Sequence, residues 1–229
     1  MSKFIPSWMK KEPVNLTDDE KDFKAKTEFA MIGPVSAGKS TIAAGIVHMC
    51  ETLSILVPDF YARVFPRSTS ILQDANNLKQ GMFPEKTNPY MTRAQEAGIM
   101  ICHRKWKNRK VRVPLYDLAG EITDHIVYKA IGNTPAQMIQ NRMQNVNQDV
   151  VNTARDSDGF IAALPADEAL MFQETPGPIG ADVYIHTVLD AVMRYRLNNH
   201  KPDPYVIIVL TKWDTVIQRA KSLGMDAYD

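Results

Sequence analysis

The octapeptide at residues 33–40, GPVSAGKS, constrains the fold of this chain more than any other stretch. It follows the short apolar run Phe29-Ala30-Met31-Ile32 and precedes a segment in which Ile42, Ile46, Met49 and Cys50 recur at helical spacing. Strand, glycine-rich turn and helix in that order satisfy the pattern GxxxxGK[S/T] in full. Gly33 and Gly38 permit backbone angles and close approaches that a side chain would block. The loop Gly33-Pro34-Val35-Ser36-Ala37-Gly38 can therefore turn its N–H groups inward around phosphate oxygens. The helix that begins near Lys39 adds its positive end. Lys39 is expected to place a point charge between the β- and γ-phosphates. Ser40 is expected to offer its hydroxyl to Mg²⁺, and Thr41 follows on the first helical turn.

A chain of 229 residues that is 45% hydrophobic can bury a full core, and it suits one domain better than two. We expect an N-terminal arm over residues 1–25 and a single α/β domain over residues 26–229. Lys and Arg number 27 against 26 for Asp and Glu, so no global field draws the chain to nucleic acid or membrane. Cys50 and Cys102 are the only cysteines and show no ligand spacing, which argues against a disulfide framework or a zinc site. The five histidines show no metal-ligand spacing either. The start carries no signal-like apolar region, and no run of about 18 apolar residues suits a membrane span. A soluble cytoplasmic protein is the expectation.

Further along, DFYARVFP suits a strand and TSILQDANNLKQG suits a helix ended by Gly81. AGIMICHRKW and KVRVPLYDLAG frame the turn Lys107-Asn108-Arg109 as an antiparallel hairpin. In TPAQMIQNRMQNVNQDVVNTAR, residues 134–155, Ile139, Met143, Val146 and Val150 form the stripe of an amphipathic helix. DGFIAALPA and PYVIIVLTKWD read as buried strands, with ADVYIHTVLDAVMRYRL a helix between them. Strands alternating with helices predict a doubly wound, mostly parallel sheet with one antiparallel hairpin strand and helices on both faces.

Two more stretches bear on the ligand. In YDLAGE, Asp117 ends a hydrophobic strand and Gly120 follows three residues later; in VIIVLTKWD, a strand delivers Thr211, Lys212 and Asp214. With the phosphate loop, these resemble the DxxG and [NT]KxD motifs of the P-loop GTPase superfamily, in a Ras-like (TRAFAC) layout. The resemblance implies that Asp117 holds Mg²⁺ through water and that the Gly120 N–H contacts the γ-phosphate. It further implies that the Asp214 carboxylate reads guanine N1 and N2 while the Lys212 stem packs along the base. Thr211 stands where Asn is commoner.

LKQGMFPEKTNP ahead of the hairpin, with DLAGE and DSDGFIAALPAD after it, resembles the bacterial double-GTPase-type (DO-GTPase) proteins more narrowly. That resemblance implies that Thr87 closes over Mg²⁺ and the γ-phosphate, with Thr69 and Thr92 as competitors. Glu121 occupies the position of the water-orienting Gln of Ras-like enzymes, so it is a catalytic candidate beside Lys39, Thr87 and Gly120. A carboxylate beside the γ-phosphate is disfavoured, so either Glu121 points away or hydrolysis is slow. Arg67 and Arg155 are candidates for an arginine finger.

Implied, then, is a GTP- and GDP-binding, Mg²⁺-dependent slow GTPase that repositions residues 81–92 and 118–133 for a protein partner. Rivals are an ATPase or small-molecule kinase on the same scaffold, and a non-hydrolysing nucleotide-dependent interaction module. Relative to the family the sheet lacks its usual last strand, or the sequence belongs to a longer product. Residues 104–112, RKWKNRKVR, hold six basic residues around Trp106 and read first as a solubilising hairpin, second as a contact for nucleic acid or lipid phosphates.

Overall fold

A computed structural model describes residues 25–57, 60–64, 69–84, 95–103, 110–131, 147–166 and 181–224. The strands are β1 (Ala25–Lys26), β2 (Phe29–Ile32), β3 (Phe60–Val64), β4 (Gln95–His103), β5 (Lys110–Asp117), β6 (Gly159–Pro165) and β7 (Tyr205–Thr211). The helices are α1 (Lys39–Leu56), α2 (Thr69–Lys79), α3 (Gly120–Ile131), α4 (Gln148–Asp156), α5 (Ala181–Asn198) and α6 (Trp213–Ser222). Ala25, assigned to the arm by sequence, forms with Lys26 the first strand of the sheet, and the two continue the line of β2 along β5. Residues 1–24 lie outside the described residues, as do Arg67, Thr87, Thr92 and the basic tip at 104–109.

The sheet runs in the order β3-β4-β5-β2-β6-β7, with β1 beside β5. β2 is parallel to β5 and β6, and β6 to β7, whereas β4 is antiparallel to both β3 and β5. The reversal follows from chain length: β4 and β5 are separated by only residues 104–109, too few for a crossover, and Gln95 stands opposite Asp117.

Alternation along the central strands divides the core in two, because successive side chains leave opposite faces. Met31 and Ile161 join Leu115 and Ile99 under α1 and α2, where they meet Val47, Ala44 and Ile71. Ala30, Ile32, Phe160 and Ala162 face the other way, against Ile122 and Ile126 of α3, Val150 of α4 and Val188 of α5. Burying each such Val, Ile or Phe contributes about 1.5–3 kcal/mol, so both faces of β2 and β6 are strongly held. The sequence expectation of an α/β fold with a mostly parallel sheet, one reversed strand and helices on both faces is met.

Two expectations need correction. The amphipathic helix expected over residues 134–155 does not run unbroken through Asn147, which is extended (φ −70°, ψ 125°) and caps α4 by accepting from the Asp149 N–H at 2.8 Å. A short amide side chain competes for backbone donors and starts a helix where the apolar period alone would continue one. Residues 132–146 lie outside the described residues. β7 forms as expected but is not buried: Tyr205, Val206, Ile207, Ile208 and Leu210 are all exposed. It pairs with β6 alone, and among the described residues no strand lies beyond it. Its entry is fixed by Arg196, itself buried, which donates to the carbonyls of Ser157 and Pro202 at 2.7 Å each. Among the described residues, no helix is long and apolar enough to cross a membrane.

Candidate functional site

Because β2, β5 and β7 run the same way, their C-terminal ends share one edge of the sheet. Each of the three motifs leaves the sheet there. Open α/β sheets place ligands outside this edge, where helix N-termini and loops converge.

The loop after β2 is shaped by backbone conformations that few residues adopt. Gly33 has φ 147°, and a Cβ on it would stand 2.6 Å from the Ala163 carbonyl oxygen. Gly38, at φ 82°, is the N-cap of α1. Ser36 is left-handed as well, at φ 63°. No side chain caps the α1 N-terminus, and its first turn holds no acidic residue. The positive end of an 18-residue helix thus points out of the sheet edge with no acidic side chain in its first turn.

Lys39 is only 6% exposed, and its ammonium donates to the carbonyls of Pro34 (2.7 Å) and Gly33 (3.0 Å). The loop is wound around its own lysine. Taking an ammonium out of water is costly, and carbonyl dipoles offset that cost in part; an anion in the loop offsets it further.

The second segment begins at Asp117, which is 1% exposed, and passes through Leu118 and Ala119 to Gly120, the first residue of α3. A Cβ on Gly120 would lie 2.6 Å from the Cα and amide nitrogen of Val35. One turn on, the Thr123 hydroxyl oxygen accepts from the Gly33 N–H at 3.4 Å. A cavity of about 220 Å³ opens between the two segments, lined by residues 35–41, residues 118–120 and Pro84.

The third segment meets the same loop. Cγ2 of Thr211 would lie 3.6 Å from a Cβ on Gly38. Its Oγ1 is buried with no hydrogen-bond partner among the described residues. Lys212 then takes a left-handed conformation (φ 55°) and α6 starts at Trp213, with Asp214 exposed in its first turn. Neither Lys212 nor Asp214 lines the cavity.

Of the residues expected from sequence, Val35, Ser36, Ala37, Gly38, Lys39, Ser40, Thr41 and Gly120 line one cavity. Gly33 and Pro34 hold Lys39 from behind, and Thr211 abuts the loop. Glu121 lies elsewhere. It is 1% exposed, outside the cavity wall, and close enough to Tyr184 for its charge to act on that phenol. Thr69 starts α2. Arg155 sits on α4 ahead of β6, its guanidinium 5.3 Å from the Tyr195 ring centroid, at the opposite end of the sheet from the phosphate loop.

Sequence reasoning missed Thr123, Asp124 and Tyr184. The Tyr184 hydroxyl donates to Asp124 at 2.5 Å, and burial, then the Asp124 charge, raises the phenol pKa well above its usual value. His125, also on α3, has both ring nitrogens buried with no hydrogen-bond partner among the described residues. Burial first, then Lys129 and Arg155, pulls its pKa below the ordinary histidine value. These links join residues distant in sequence, and no local pattern announces them.

The residues fit an anionic ligand: an uncapped helix end, a buried ammonium, and a glycine pressed on the loop backbone. For Mg²⁺, Ser40 lies on the wall and Asp117 at the strand end. Among the described residues no three His, Cys, Asp or Glu side chains group as a metal site, so the ion would be held together with phosphate oxygens, as Mg²⁺ commonly is.

No protein-family model matches the chain, and no curated protein matches it. Function is therefore read from the site.

Proposed function

We propose that the chain binds GTP with Mg²⁺ and hydrolyses it slowly to GDP and phosphate, acting as a nucleotide-dependent switch toward a protein partner. The observation that carries this reading is the buried Lys39 ammonium at the uncapped α1 N-terminus, in a cavity whose far wall is Gly120. A triphosphate would bring negative charge to the buried ammonium, and backbone N–H groups preorganised around it stabilise charge without reorganising. Ser40 and Asp117 would hold Mg²⁺, and Thr87 would close over it.

The guanine assignment rests on Thr211, Lys212 and Asp214 leaving β7 beside Gly38. Slow turnover is supported by the burial of Glu121, since the described wall carries no carboxylate or amide side chain to orient a water. The same observation favours a second reading, a nucleotide-dependent interaction module that does not hydrolyse.

Titration with GTP and ATP tests the first reading. Wild type is expected to prefer GTP by at least about 100-fold, Asp214→Ala to lose that preference, and Lys39→Ala to weaken both nucleotides about 100-fold, losses of about 2.7 kcal/mol. Equal binding of ATP and GTP by wild type would remove the guanine assignment. Single-turnover phosphate release separates slow hydrolysis from none.

A further inference from the structure

Thr123 and Lys39 grip the same residue from opposite sides. The Gly33 N–H donates to the Thr123 hydroxyl, and the Gly33 carbonyl accepts from the Lys39 ammonium. Gly33 is where the chain leaves the sheet, so its N–H has left the strand ladder and depends on a side chain for its bond.

Thr123 is itself fixed from behind. It is 1% exposed, on a helix whose residues Ile122, Ile126 and Val127 are buried against the core. The next residue, Asp124, is tied to Tyr184 of α5, which is 6% exposed. Two hydrogen-bonded contacts, Tyr184–Asp124 and Thr123–Gly33, are thus joined through the backbone of α3, where Thr123 and Asp124 are consecutive residues, and they connect α5 to the loop that holds Lys39.

We propose that Thr123 is a positioning residue for the phosphate loop and that the Asp124–Tyr184 contact holds it in register, linking α5 mechanically to Lys39. Thr123 touches neither ligand nor cavity; it acts by placing Gly33, whose carbonyl sets where the ammonium stands before an anion takes it. The inference rests on the proposed nucleotide site and adds the element that regulates it. Strengthening or loosening α5 against α3 would change phosphate affinity without any change in the cavity wall.

The test uses the whole chain, fluorescently labelled GTP with Mg²⁺, and melting curves in parallel. Thr123→Val keeps shape and removes the acceptor; Thr123→Ser keeps the hydroxyl; Tyr184→Phe removes the donor to Asp124. Removing one hydrogen bond should weaken GTP binding about fivefold in Thr123→Val, while Thr123→Ser stays within about twofold of wild type. Tyr184→Phe should weaken binding less, and the double variant should be no weaker than Thr123→Val alone, because both act on one link.

Wild-type affinity in Thr123→Val, equal damage in Thr123→Ser, or fully additive losses in the double variant would each overturn the link while leaving the nucleotide site standing. A wild type that binds neither GTP nor ATP would overturn both. If Thr123→Val fails to fold, Tyr184→Phe carries the test: weakened GTP binding at an unchanged melting temperature supports the link, and unchanged binding refutes it.

Discussion

Gly120 rests directly on Val35: a Cβ at position 120 would come within 2.6 Å of the Val35 Cα and amide nitrogen, and within 2.8 Å of its Cγ2. The start of α3 and the phosphate loop are in contact along their backbones, which cannot step aside as a flexible side chain would. Gly120→Ala should therefore cost about 1–3 kcal/mol of stability and weaken GTP binding as the two segments separate. Gly45 is the internal control. It lies within α1 with nothing within 4 Å of its added Cβ, so Gly45→Ala should raise stability by about 0.5–1 kcal/mol. Urea unfolding of both variants without nucleotide checks the pair.

His125 should make the fold sensitive to mild acid. Its folded pKa is below the ordinary 6.5, first through burial and then through Lys129 and Arg155. Above the unfolded value both states are neutral and the full stability is present. As pH falls below that value the unfolded chain takes up a proton the folded chain resists, and stability is lost down through the folded pKa. Melting temperatures at pH 7.5 and 5.5 should drop for wild type by more than for His125→Leu. At pH 7.5 the variant should be as stable as wild type or about 1 kcal/mol more so, since two buried nitrogens with no hydrogen-bond partner among the described residues are removed. Parallel slopes would show that another group governs the acid response.

Asn147 starts α4 through its side-chain bond to the Asp149 N–H. Replacing it with Ala should cost about 1 kcal/mol, and Asn147→Asp should retain most of the stability, because a carboxylate caps as well and favours the helix N-terminus. Chemical denaturation of the three proteins measures this. Equal midpoints for Asn147→Ala and wild type would mean that the cap contributes nothing.

The exposed strand β7 should drive self-association as concentration rises. Ile207 and Ile208 point to opposite faces and are 48% and 56% exposed, on a strand whose outer edge has no partner strand among the described residues. Ile207→Lys with Ile208→Lys should reduce the mass seen by light scattering at high concentration. Each exposed change should move stability by no more than about 0.5 kcal/mol. Scattering that is unchanged would place the association elsewhere.

Much of the fold was legible locally. The apolar residues of β2 and β6, the hairpin pairing β4 with β5, and the stop of α2 near Gly81 (φ 77°) all arise from interactions within a few residues, or from a period that any parallel sheet requires. So does the turn over residues 33–38, since its glycines act through their own backbone.

Burial was less legible than strand formation. PYVIIVLT reads like DGFIAALP, yet β6 is enclosed and β7 is not, because enclosure depends on neighbours contributed by distant parts of the chain. Glu121 illustrates the same limit at the site: sequence left open whether it stands at the site or points away, and the turn of α3 carries it into the interior.

What the amino-acid order determined by itself was the set of groups able to meet a phosphate: two glycines free to adopt φ 147° and 82°, a lysine one residue on, and a helix start without an acidic residue. Only the tertiary structure decided which side chains stand behind that loop, because the Thr123–Gly33 and Tyr184–Asp124 contacts close over separations of 90 and 60 residues. Their geometry depends on how α3 and α5 pack on the sheet, a collective outcome of the core that no short stretch of chain encodes.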